Sequence, residues 1–121
     1  MKTKSLPKLK AEAQKVSNAF IRKRDEDKPC ISCGRFKELQ AGHFFPVKGY
    51  DGLRFDERNV NGECCGCNCF DDAHLIRYGE NLKSRIGADE FYRLMADAEK
   101  YRRDGYKFTR SELIELIEKY K

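Results

Sequence analysis

The sequence predicts an α+β fold: a small core of strands and irregular chain stapled by zinc, with a basic helix before it and further helices after it. Three observations carry this. Apolar residues recur three or four apart at both ends of the chain but not in its middle. That middle, residues 30–70, holds all six cysteines and most of the glycines. The composition is also too polar for a large core, with 37% charged residues, 8 Phe, 6 Tyr and no Trp, and a mean hydropathy of -0.80. A chain of 121 residues suits one domain, read here as a basic helical arm (1–28), a zinc-stapled core (29–75) and C-terminal helices (76–121). A polar domain of this size gains from a structural metal.

The first helix is expected over Leu6–Arg24, where Leu9, Ala13, Val16 and Phe20 form one stripe and Lys and Arg occupy the other face. Pro7, just after Ser5, suits a first helical turn, and Pro29 disfavours helix at Lys28. After the cysteine-rich segment, Leu75–Ile86 and Ala88–Arg103 read as two helices parted near Gly87, the second burying Phe91, Leu94, Met95 and Ala98. Thr109 followed by Glu112 reads as a capping box for a last helix that carries Leu113, Ile114, Leu116 and Ile117. This amphipathic helix is a candidate interface, should the chain form a homodimer.

Charge is concentrated at one end. Residues 1–28 contain nine Lys or Arg against four Asp or Glu, which accounts for the whole net charge of +5. Such a segment suits a polyanion, because each neutralised phosphate releases counterions; a solvated helix face gives the same pattern. Lys8, Lys10, Lys15, Arg22, Lys23 and Arg24 are the candidate DNA contacts. No stretch nears the roughly 18 apolar residues of a spanning helix, and MKTKSLPKLK lacks the apolar core of a secretory signal. No membrane partner is expected, and a reducing cytoplasm is.

The cysteine spacing is the sharpest local signal. Cys30 and Cys33 form one CxxC pair, Cys64 and Cys67 a second about thirty residues on. Each short turn can aim two thiolates at one tetrahedral zinc ion, with the loop bringing the pairs together. Three disulfides would require an oxidising compartment, and a redox CxxC would need a βαβ setting that is not evident. Cys65 and Cys69 are left as free or buried thiols, although a register that uses either as a ligand stays open.

Between the two pairs lies AGHFFP (41–46), followed by RFDERNV (54–60). A His in an HxxP run, an Asn further on and a CxxC followed directly by Asn resemble the HNH branch of the His-Me finger nucleases. More specifically, KLKAEAQKVSNAFIRKRDEDKPCISCG (8–34), the AGHF segment, RFDERNV, and the spaced Tyr78, Leu82 and Gly87 are similar to the NinG family of phage recombination proteins, also called Rap. That resemblance covers roughly residues 6–95, and residues 96–121 add nothing to it.

The resemblance implies an HNH-like ββα-metal core and three roles. His43 would activate water, Asn59 would hold the two-stranded loop, and Asn68 would bind a catalytic Mg2+ or Mn2+, the four cysteines keeping zinc as a staple. His43 suits its role chemically, since a neutral imidazole is the usual base near neutral pH. The sequence departs from the commoner HNH pattern at Gly42, where an acidic residue or His usually precedes the base and binds the metal. Asn68, Asp71, Asp72 and His74 are the alternatives, and His43 itself could also be the ligand. For His74 an exposed helix position is the plainer reading, and for Asp71 and Asp72 a place at a helix N-terminus.

Two functions follow as expectations. One is a structure-selective endonuclease of phage homologous recombination acting on branched DNA, of the Holliday-junction or D-loop kind; a homodimer would be the simplest device for cutting two equivalent strands. The other is a non-catalytic zinc-stapled DNA-binding or adaptor module.

Overall fold

The computed structural model describes residues 3–121. In chain order it contains helix α1 (Leu6–Arg24), strand β1 (Leu39–His43), a 3-10 turn (Asp51–Leu53), strand β2 (Val60–Cys64), and helices α2 (Cys65–Phe70), α3 (His74–Ile86), α4 (Ala88–Asp104) and α5 (Arg110–Tyr120). The fold is mixed and helix-rich. Its two strands pair antiparallel, with Leu39 opposite Cys64, Gln40 opposite Glu63, and His43 opposite Val60.

Helix α1 starts where the sequence predicts. Ser5 accepts from the Lys8 N–H, Pro7 lies in the first turn, and Arg22, Lys23 and Arg24 complement the dipole in the last. Its buried row is Leu9, Ala13, Ser17 and Ile21, whereas Val16 and Phe20 are only half-buried. The row follows four-residue steps because the small side chains of Ala13 and Ser17 admit close neighbours. Phe20 reaches sideways instead, to a ring contact with Tyr120 at 4.7 Å.

The basic segment is not a projecting arm. Helix α1 packs on both α5 and the hairpin, and its C-terminal end is bolted to β2. Asp25, fully buried, pairs with Arg24 at 2.8 Å and accepts the Gly62 N–H at 2.8 Å. Arg24 also donates to the carbonyls of Glu57 and Val60 and to Asn61 Oδ1. Gly62 makes this junction fit, since a Cβ there would stand 2.6 Å from Leu39 and 3.1 Å from Asp25.

Two apolar clusters hold the helices in place. Leu9, Ala13, Phe55, Leu113 and Ile117 join α1 to α5. The apolar face of α5, expected as a candidate interface, is therefore covered within the chain, and only Ile114 beside it remains 45% exposed. The Thr109–Glu112 capping box is present in full. In the second cluster, Ile31, Leu53, Tyr78, Leu82, Leu94 and Ala98 join α3 and α4 to the cysteine-rich segment. Gly87, at φ +87°, ends α3 and opens α4, a conformation that side chains resist. Met95 departs from its expected burial at 43% exposure, because α4 meets its neighbours along a narrow row through Leu94 and Ala98.

The core also contains a helix that periodicity did not reveal. Helix α2 spans six residues and begins inside the second CxxC; it ends at Asp71, whose side chain accepts the Ala73 N–H before α3 begins. No helix among the described residues is long and apolar enough to cross a membrane.

Candidate functional site

The two CxxC turns meet. The Sγ atoms of Cys30, Cys33, Cys64 and Cys67 all lie within 4.8 Å of one another, and Cys33 and Cys64 approach to 3.9 Å. A tetrahedral zinc site with Zn–S of about 2.3 Å has thiolates about 3.8 Å apart, so the donor set fits. Backbone N–H groups of Cys33 and Cys64 point at the Cys30 sulfur, at 3.4 and 3.3 Å, as suits a thiolate. Burial and the neighbouring thiols push the Cys67 thiol up to about 12, a cost that a bound cation reverses. This cluster can hold a metal ion such as zinc. Cys65 and Cys69 stand outside it, exposed and 3.6 Å apart, so the register with Cys65 or Cys69 as ligand is not the one assembled.

Next to the cluster, at the end of β1, lies a cleft of about 340 Å³ lined by Ala41, His43, Phe44, Asn68, His74 and Leu75 among others. His43 is half-buried there. Its Nε2 lies 2.9 Å from the Arg54 carbonyl oxygen, which can only accept, so in the neutral ring Nε2 carries the proton and Nδ1 is the acceptor. Burial lowers the imidazole pKa from its ordinary value, the Arg54 carbonyl pulls it back, and the Arg54 charge lowers it further; the net direction is down.

Asn59 is fully buried and straps the loop between the strands. It donates to the carbonyls of Phe45 (3.1 Å) and Leu53 (3.2 Å) and accepts from the Phe45 N–H (2.8 Å). All of its side-chain bonds go to backbone, so it holds the loop that follows His43. Tyr78 adds a second anchor by donating to the Gly42 carbonyl at 2.6 Å.

Asn68, in α2, donates from Nδ2 to Gln40 Oε1 at 2.8 Å. His74 is not the exposed residue of the plainer reading: its side chain is 14% exposed, with Nδ1 2.5 Å from Glu63 Oε2. Asp72 is exposed and does not line the cleft, and Asp71 is tied to Arg77. Glu63 was missed by the sequence reading. It is fully buried, accepts from Ser32 Oγ in the first CxxC turn, and leaves Oε1 without a hydrogen-bond partner. The available signal was a carboxylate one position before a knuckle cysteine.

The candidate DNA contacts divide into two groups. Lys8, Lys15, Arg22 and Lys23 are exposed on α1. Lys10 is engaged with Asp51 at 2.6 Å, and Arg24 is spent on Asp25 and β2.

Fold and site together define a small helix-rich protein in which a four-cysteine cluster ties a β-hairpin to its surroundings, with a histidine-bearing cleft alongside. The chain matches the family model described as "Bacteriophage Lambda NinG protein" over residues 1–121, past the last motif at Gly87, and it belongs to that family. Among curated relatives, it is 45% identical to "Protein ninG" of Escherichia phage lambda over 80 residues, 64% of this chain and 39% of that one. It is 41% identical to "Protein ninG" of Salmonella phage P22 over 93 residues, 75% of this chain and 46% of the relative. The chain thus spans less than half the length of these relatives. No solved structure matches it.

Proposed function

We propose that this chain is a metal-dependent endonuclease of the HNH type, with an HNH-like ββα core, that hydrolyses phosphodiester bonds in branched DNA during phage recombination. The observation that carries this reading is the setting of His43: Nε2 lies against the Arg54 carbonyl, so in the neutral ring Nδ1 is left as acceptor beside the cleft that Asn68 and His74 also line. That is the arrangement a general base needs to take a proton from water. Asn59 keeps the loop, and with it the ring, in place. Phosphodiester hydrolysis also calls for an electrophile on the phosphate, which a bound Mg2+ or Mn2+ supplies by neutralising developing charge and steadying the leaving oxygen. Asn68 and His74 are the expected ligands that reach the cleft. The exposed lysines and Arg22 on α1 would hold the DNA backbone without regard to sequence.

The test is incubation of zinc-loaded protein with linear, forked and four-way DNA, with and without divalent cation. Cation-dependent cutting that favours the branched substrates is expected. Tight binding without cutting under any of these conditions would overturn the nuclease reading and favour a zinc-stapled DNA-binding or adaptor module.

A further inference from the structure

Position 42 is closed to side chains for a definite reason. An ideal Cβ on Gly42 would stand 2.5 Å from Glu63 Oε1, 2.9 Å from Glu63 Cβ and 3.3 Å from Asn68 Oδ1. Glu63 sits opposite Gln40 in the paired strands, hence diagonal to Gly42 on the same sheet face. The space that a side chain at 42 would fill is filled from the facing strand by a carboxylate.

That carboxylate is half satisfied. Oε2 takes Ser32 Oγ and His74 Nδ1, whereas Oε1 is buried with no partner, a state that costs free energy unless a hydrogen bond or a cation compensates. Asn68 spends its Nδ2 on Gln40, and among the described residues nothing donates to its Oδ1, which faces the same point above Gly42. We propose that Glu63, Asn68 and His74 form a divalent-cation site, separate from the cysteine cluster, in which Glu63 provides from β2 the anionic ligand that Gly42 lacks. Two oxygen donors and one imidazole suit Mn2+ or Mg2+ better than a soft metal. The use of the cation in cleavage rests on the proposed function; its binding does not.

The experiment is an NMR titration of the full, zinc-loaded chain with Mn2+. Paramagnetic broadening is expected first at the amides of Gly42, Glu63, Asn68 and His74, reversed by excess Mg2+, and abolished in Glu63→Gln. His74→Ala and Asn68→Ala, at less buried positions, should each weaken the apparent affinity about tenfold or more, and they carry the test if Glu63→Gln does not fold. Broadening centred elsewhere, or unchanged Mn2+ affinity in His74→Ala and Asn68→Ala together, overturns the proposal. Cleavage of four-way DNA by the same samples separates the two readings. Mn2+ bound at this site without cutting keeps the site and removes the nuclease; Mg2+-dependent cutting that Glu63→Gln leaves intact does the reverse.

Discussion

His43 takes its orientation from a backbone carbonyl, which has no proton to lose, so its titration reflects burial first, and then the carbonyl and the charge of Arg54. Because burial lowers the imidazole pKa from its ordinary 6.5, the neutral ring predominates at pH 7. Cleavage should rise with pH through a midpoint below 6.5 and be flat above it; a midpoint above 6.5 would contradict the assignment. His43→Ala should cut about a hundredfold or more slowly with zinc content unchanged. Arg24 is a residue whose role the sequence hid. As one of several basic residues it reads as a phosphate contact, yet its bonds go inward to Asp25, to β2 and to the Glu57 carbonyl just before it. Burial acts to raise the Asp25 pKa, but the bonds from Arg24 and the Gly62 N–H prevail, and it lies below 3.8. Its contribution to stability is therefore complete above pH 3.8 and is lost as pH falls through the lower, folded value. Arg24→Gln should destabilise by about 3 kcal/mol and move acid unfolding to higher pH, as read from urea denaturation at a series of pH values. Glu63 was illegible for a related reason: a strand carboxylate looks solvent-facing until the chain around Ser32 and His74 closes over it.

Among the elements, those with capping chemistry were the legible ones. Ser5, Thr109 with Glu112, and Gly87 each mark a boundary by local hydrogen bonding or a positive φ, and each stands where the residues imply. The strands and α2 were not legible at that precision, since five-residue strands set among knuckle turns owe their place to backbone bonding and to the cysteine cluster rather than to periodicity. The exposed face of α1 yields a prediction of its own. Neutralising Lys15, Arg22 and Lys23 together should weaken binding to all DNA alike and flatten the log–log salt dependence by about one unit for each phosphate that is no longer neutralised. An unchanged slope would leave that face merely solvated. Stability should barely alter, in contrast to Arg24→Gln.

For the molecule as a whole, the cysteine cluster and the cleft share a strut: Ser32 sits between Cys30 and Cys33 and bonds the Glu63 carboxylate. Zinc loss should therefore disturb the cleft as well as the core. Metal analysis should find about one zinc per chain, and Cys30→Ser should lose it and unfold, because in so small a site metal-binding energy is folding energy; a variant as stable as the parent would refute this. The CxxC spacing made the cluster legible, but nothing local in the sequence pairs α1 with α5, a contact between the two ends of the described chain. That pairing bears on assembly. Leu9 and Ala13 find Leu113 and Ile117 only across some hundred residues of intervening chain, the kind of separation that slows folding. Helix α1 can therefore seat its C-terminal end (residues 21–25) on the hairpin as soon as β1 and β2 have paired, while Leu9 and Ala13 stay short of their full cover until α5 follows some hundred residues later.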